Sequence, residues 1–113
     1  MTLKNSPTKT PASDALADMK DDAARAAAFL KTLAHEGRLM SLCHLGDGEK
    51  SVGELEALLQ IRQAAVSQML ARLREDGLVS TRRAGKTVFY SLEDGNTKQV
   101  IELLYQLFCK PKD

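Results

Sequence analysis

Tryptophan is absent from the 113 residues, aromatics supply only 4% of them, and proline occurs three times. A composition of 43% hydrophobic and 27% charged residues is that of one globular domain, whose core must be largely aliphatic. No apolar run approaches the roughly 18 residues that a membrane span needs. The longest, Val100 to Phe108, is broken by Glu102 and Gln106, so no membrane partner is expected. The opening MTLKNSPTKTPAS has no apolar segment behind its lysines and does not read as a secretory signal, so a cytoplasmic protein is expected. Cysteine is scarce as well. Two residues, Cys43 and Cys109, 66 positions apart, form neither a disulfide framework nor a CxxC motif, and matter, if at all, as thiols. No cofactor is expected.

A formal net charge of +1 conceals an uneven distribution. Met1 to Ile61 carries −2 and Ser91 to Asp113 carries −1, whereas Arg62 to Tyr90 carries +4 from Arg62, Arg72, Arg74, Arg82, Arg83 and Lys86 set against Glu75 and Asp76. Such a patch on a balanced chain suits a phosphate-backbone binder, because each neutralised phosphate releases condensed counterions. A solvated helix face followed by a solvated hairpin would look the same, and charge alone leaves both readings open.

Residues 1–12, with Pro7, Pro11 and few apolar members, read as a disordered tail, and residues 13–110 as the domain. Ser13 can cap a first helix in which Leu16, Met19, Ala23, Ala26, Ala27, Leu30, Leu33 and Ala34 recur at steps of three and four. A second helix from about Glu36 to Leu45 ends at Gly46-Asp47-Gly48. Ser51-Val52-Gly53-Glu54 is a capping box that opens a third helix to about Leu59. Only Gln60-Ile61-Arg62 separates it from a fourth, Gln63 to Asp76, which has Val66, Leu70 and Leu73 on one stripe and Gly77 as a stop. Two short helices on a tight connection, the second basic, read as a helix-turn-helix.

From Leu78 to Leu92 the period changes to two, with a turn at Ala84-Gly85: a hairpin carrying Arg82, Arg83 and Lys86 around its tip. Beside DNA those cations would meet phosphate; otherwise they protect an exposed strand edge. A last helix from Asn96 or Thr97 to Cys109 is apolar nearly all round. A chain this short has no obvious cover for its second face, which suggests a homodimer through the first and last helices. Mutual cover of these helices within one chain is the alternative. The fold class expected is thus mainly α with a small β-hairpin, a winged helix-turn-helix of order ααααββα.

This order, together with Leu33-Ala34, Arg38-Leu39, the segment Gln63 to Leu70 with Leu73, Gly77-Leu78-Val79, Arg82-Arg83, Gly85 and Val88 to Tyr90, resembles the ArsR family of bacterial winged-helix regulators across about Ala27 to Cys109. The chain departs from that pattern at Gln60 and Arg62, where relatives often carry glycine and a small capping residue. The resemblance implies a repressor acting on double-stranded operator DNA. A helical wheel turns Ala64, Ser67, Gln68, Ala71 and Arg72 outward. Gln68 can make two hydrogen bonds to adenine, Ser67 suits a base edge or phosphate, Ala64 a thymine methyl, and Arg72 a phosphate. Arg62, Gln63, Arg82, Arg83 and Lys86 complete the expected DNA-binding set.

Many members of this family respond to metals. Here the stretch that often holds metal-binding cysteines is Ser51 to Leu55, which has none, and the last helix has no histidine. Cys43 and His44 are 100° apart on one helix and His35 is distant, so no metal site is expected. Cys43 and Cys109 are instead similar in position to the thiols of the branch that senses reactive sulfur species. The resemblance implies that low-molecular-weight persulfides or other sulfur oxidants bridge them, as a disulfide or polysulfide, and release the operator. A metal-responsive repressor and a winged helix used for protein contacts are the alternatives. A thiol enzyme is disfavoured because neither histidine shares a helix face with Cys43.

Overall fold

The computed structural model describes residues 13–93 and 95–109, with side chains from Asp18 onward. The expected tail 1–12 and the capping side chain of Ser13 lie outside what it describes. The chain divides into two compact units between Lys31 and Thr32. The first contributes most of α1 (Ser13–Leu33), whose side chains from Asp18 to Lys31 are exposed, Phe29 partly excepted. Small alanines at helical spacing make this segment a good helix former, and Asp22 pairs with Arg25 one turn on at 2.8 Å.

In the second unit, α2 (Glu36–Gly46) starts at His35, whose Nδ1 accepts from the Arg38 amide at 3.2 Å in place of the usual Ser, Thr or Asp cap. Ser51 and Glu54 form the expected capping box at the start of α3 (Val52–Leu59), at 2.8 and 3.1 Å. Gln60 then reverses the chain in the left-handed region (φ 58°), the only non-glycine with positive φ among the described residues. Cβ repulsion makes that costly for anything but glycine. α4 (Gln63–Glu75) ends in a Schellman motif: the Gly77 amide donates to Arg74 and the Leu78 amide to Leu73, with Gly77 at φ 77° and Leu73 and Leu78 buried.

The hairpin is confirmed as β2 (Val79–Ala84) and β3 (Thr87–Leu92), but Ala84 pairs with Thr87, so the two-residue turn is Gly85-Lys86 rather than Ala84-Gly85. Gly85, at φ 64°, supplies the conformation such a turn requires. β1 (Lys50–Ser51) adds a short third strand along β3, giving the antiparallel order β1-β3-β2. The last helix is α5 (Gly95–Leu104), followed by a π turn over Tyr105–Cys109 in place of the continuous α-helix expected.

The core lies under α4. Leu42 of α2, Leu55 of α3 and Val66, Leu70 and Leu73 of α4 are completely buried, with Leu45, Met69, Leu78, Val79 and Ile101 around them. Each such side chain contributes roughly 1.5–3 kcal/mol by leaving water. α2 packs closely on α4 at Gly37, where a Cβ would lie 2.5 Å from the Met69 sulfur. The other face of the chain's end stays uncovered: Leu103, Tyr105, Leu107 and Phe108 are all more than half exposed.

Candidate nucleic-acid interface and thiol pair

Because Val66, Met69, Leu70 and Leu73 fasten one stripe of α4 to the core, the opposite stripe is fixed by helical geometry. Ala64, Ser67, Gln68 and Ala71 are exposed on it, and Gln63, in line with Val66 and Leu70, is exposed as the first residue of the helix. Arg62 is the N-cap residue and makes no side-chain capping bond, so its cation stands at the helix end where the dipole is unfavourable to it. Among the described residues Arg62, Arg83 and Lys86 form no ion pair, and all three are exposed.

The other two expected phosphate contacts are already engaged. Arg82 donates to both carboxylate oxygens of Glu49, through Nε at 3.2 Å and through a terminal nitrogen, while its guanidinium lies 4.9 Å from the centre of the Phe89 ring. Hydrogen bonding from Arg82 holds the Glu49 carboxyl below its ordinary range. Arg82 is therefore anchored along the hairpin, opposite Phe89, and only Arg83 and Lys86 lie close to the tip with unpaired charge.

Arg72 donates from Nε to Asp76 Oδ2 at 2.9 Å. That oxygen also accepts the hydroxyl of buried Thr32, and Arg38 Nε donates to the Thr32 carbonyl at 2.9 Å. The Thr32 hydrogen bond, reinforced by Arg72 and by the charge of Arg38, holds the Asp76 carboxyl below its usual value. Sequence reading missed Thr32, Glu49 and Asp76, because their partners lie 44 and 33 residues away or were read as solvated cations. It also left the exposed Arg74 outside the DNA-facing set.

Both cysteines are free thiols, Cys43 half-buried on α2 and Cys109 exposed at the end of the π turn. Cys43 lines a crevice of about 400 Å³ between α2 and α5, walled by Ile101, Glu102, Tyr105 and Gln106; the last two begin the turn that ends in Cys109, which does not itself line the crevice. Burial pushes the Cys43 thiol above its ordinary pKa, and the charge of a Cys109 thiolate pushes in the same direction. Among the described residues no three His, Cys, Asp or Glu side chains are gathered as metal ligands would be. His35 is engaged as a helix cap.

Known proteins share this frame. Residues 35–81 match the family described as bacterial regulatory protein, arsR family. The chain is 52% identical over 95 residues to the biofilm growth-associated repressor of Agrobacterium fabrum, covering 84% of this chain and 81% of that one. It belongs to the arsR family. The transcriptional activator HlyU of Vibrio cholerae is 50% identical to this arsR-family regulator over 84% of its chain and 88% of HlyU. In three dimensions, reduced HlyU from Vibrio cholerae matches it with a TM-score of 0.79 at 49% identity, covering 82% and 98% of the two chains. The repressor BigR from Xylella fastidiosa matches with 0.75 at 40% identity, covering 89% and 100%. The arsR-family chain is thus a winged-helix transcriptional regulator. Its relatives include both repressors and an activator. No described helix is long and apolar enough to cross a membrane.

Proposed function

We propose that this regulator is a homodimeric repressor that holds double-stranded operator DNA with α4 and the wing, and releases it when Cys43 and Cys109 become bridged. α4 lies in the major groove, where Gln63, Ala64, Ser67 and Gln68 face base edges while Arg62, Arg72, Arg83 and Lys86 serve the phosphates. Arg82 braces the wing through its pair with Glu49. Dimerisation covers the apolar residues left exposed on α5 and its π turn, together with Met19 and Leu30 of α1. A two-fold axis then sets two copies of α4 along one side of the duplex.

The observation that supports the sensing half is that Cys43 opens onto a crevice walled in part by Tyr105 and Gln106, the first residues of the turn that ends in exposed Cys109. A low-molecular-weight persulfide, RSSH, supplies the oxidising sulfur. One cysteine thiolate attacks the outer sulfur, forming a protein persulfide and expelling RS⁻, which leaves as the thiol RSH. The second thiolate attacks the inner sulfur, forming the Cys43–Cys109 disulfide and expelling hydrosulfide, which leaves as hydrogen sulfide. Two protein thiols are oxidised and one sulfane sulfur is reduced. Two equivalents of RSSH give a trisulfide, two RSH and one hydrogen sulfide by the same steps. A relative crystallised specifically as reduced HlyU is in keeping with a redox-defined state.

The test combines intact mass with DNA binding. Reduced protein is treated separately with glutathione persulfide, peroxide and zinc, and its grip on a duplex selected from a random-sequence pool is followed by anisotropy. A mass matching a disulfide or polysulfide bridge, accompanied by release and abolished in Cys43→Ser and Cys109→Ser, is expected. Zinc-specific release, or unchanged release in the double serine variant, would refute the sensing mechanism.

A further inference from the structure

We propose that Asp76 is a positioning residue for DNA recognition: it fixes the Arg72 guanidinium at the edge of α4 and ties that edge to the corner between α1 and α2. This rests on α4 being the DNA-contacting helix. A carboxylate one turn from a phosphate-binding arginine is unfavourable on charge alone, since it repels the same backbone that the arginine attracts. The hydrogen bonds explain what it does there. Arg72 meets Asp76 through Nε, on one edge of the guanidinium, and the pair of N–H donors at its far end takes no part in that bond. Asp76 is in turn held by the hydroxyl of Thr32, a side chain only 1% exposed, and Arg38 holds the Thr32 carbonyl. The chain Arg38, Thr32, Asp76, Arg72 therefore runs from a buried anchor to a half-exposed cation. An arginine on such a mount has already lost the rotamer freedom that phosphate binding would otherwise take from it. Ordering matters most where the register on DNA is unique, so the gain falls on the specific site.

Positioning and charge make opposite predictions, and two substitutions separate them. Asp76→Ala and Asp76→Asn both remove the negative charge, but only asparagine keeps an oxygen able to accept from Arg72 and Thr32. Affinity is measured for a duplex selected by the wild-type protein from a random pool and for a shuffled duplex of the same length. For both variants, binding to the shuffled duplex should rise about twofold, as expected for loss of one screened repulsion. On the selected duplex Asp76→Ala should lose about three- to tenfold, whereas Asp76→Asn should stay within about twofold of wild type. Thr32→Val, which removes a donor without altering charge, should lose about two- to threefold on the selected duplex and nothing on the shuffled one. It carries the test alone should Asp76→Ala melt below the assay temperature. Equal behaviour of the alanine and asparagine variants on the selected duplex, or parallel shifts on both duplexes, would overturn the positioning role. Arg72→Ala without effect on either duplex would instead remove Arg72 from the DNA interface, and the mount with it.

Discussion

Replacing Arg83 by alanine and replacing Arg82 by alanine remove the same charge from adjacent residues of the wing, yet the two changes should read differently in salt. Arg83 is exposed and unpaired, one step from the last pair of the hairpin, while Arg82 is clamped to Glu49 and lies over Phe89. Counterion release makes log K fall against log salt with a slope of about −0.9 for each phosphate neutralised on B-form DNA. Arg83→Ala should therefore flatten the slope by about 0.9 per protomer, or about 1.8 for a symmetric dimer. Between about 0.1 and 0.2 M salt, the variant's affinity should fall about 3.5-fold less than the wild type's. Arg82→Ala should change the slope by less than about a third of that, because its guanidinium is not on a phosphate. It should instead lower the melting temperature by freeing Glu49 and uncovering Phe89. Fluorescence anisotropy across four salt concentrations with one duplex, beside thermal melts of the free proteins, measures both quantities. Equal slope changes for the two arginines would refute the assignment of Arg82 to wing support.

Gln60→Gly should stabilise the protein by about 0.5–1 kcal/mol, since relief of a left-handed non-glycine outweighs glycine's extra chain entropy. A calorimetric melt should rise by about 3–6 °C, and a fall would mean that the Gln60 side chain contributes more than its backbone costs. Gly37→Ala should change stability by less than about 1 kcal/mol, because the Met69 thioether that a Cβ would press can shift and alanine's helix propensity offsets the cost. In a Met69→Ala background the same change should become stabilising, and a double-mutant cycle by urea denaturation that shows no coupling would rule out the contact. Iodoacetamide should label Cys109 before Cys43 near neutral pH, because burial raises the Cys43 pKa and leaves it less thiolate than an ordinary cysteine. Cys43 labelling should accelerate as pH rises, and Cys109→Ser should move its profile to lower pH by removing a neighbouring negative charge. Peptide mass spectrometry over a pH series checks both, and a profile unmoved by Cys109→Ser would mean that the two thiols do not sense each other.

Elements with their own periodicity or caps were legible from sequence. The capping box at Ser51 and Glu54, the buried stripe Val66, Leu70 and Leu73, and the stop at Gly77 are all local patterns, and each stands where expected. What escaped depends on partners far along the chain or on register. A strand of two residues, Lys50–Ser51, has no alternation to display and exists only because Phe89 and Tyr90 pair with it. The hairpin turn moved by one residue because pairing decides register and a glycine can occupy either turn position. His35 was weighed as a ligand, although its position ahead of α2 makes it a cap. The charge count treated Arg72 and Arg82 as solvent-facing, and only tertiary structure brings Glu49 across to Arg82 and Thr32 to Asp76. Gln60 was noticed as an oddity; its positive φ is a conformation that suits glycine better than any residue with a Cβ.

Ser51 serves two elements at once, pairing with Phe89 in the sheet and capping α3 through its side chain. The start of α3 is thereby joined to the wing by the pairing of Lys50 with Tyr90 and Ser51 with Phe89. That short ladder is the strand pairing that links α3 to the hairpin. A signal that shifts the hairpin relative to α3 has to part the β1-β3 ladder, whereas one that moves the two together leaves it intact.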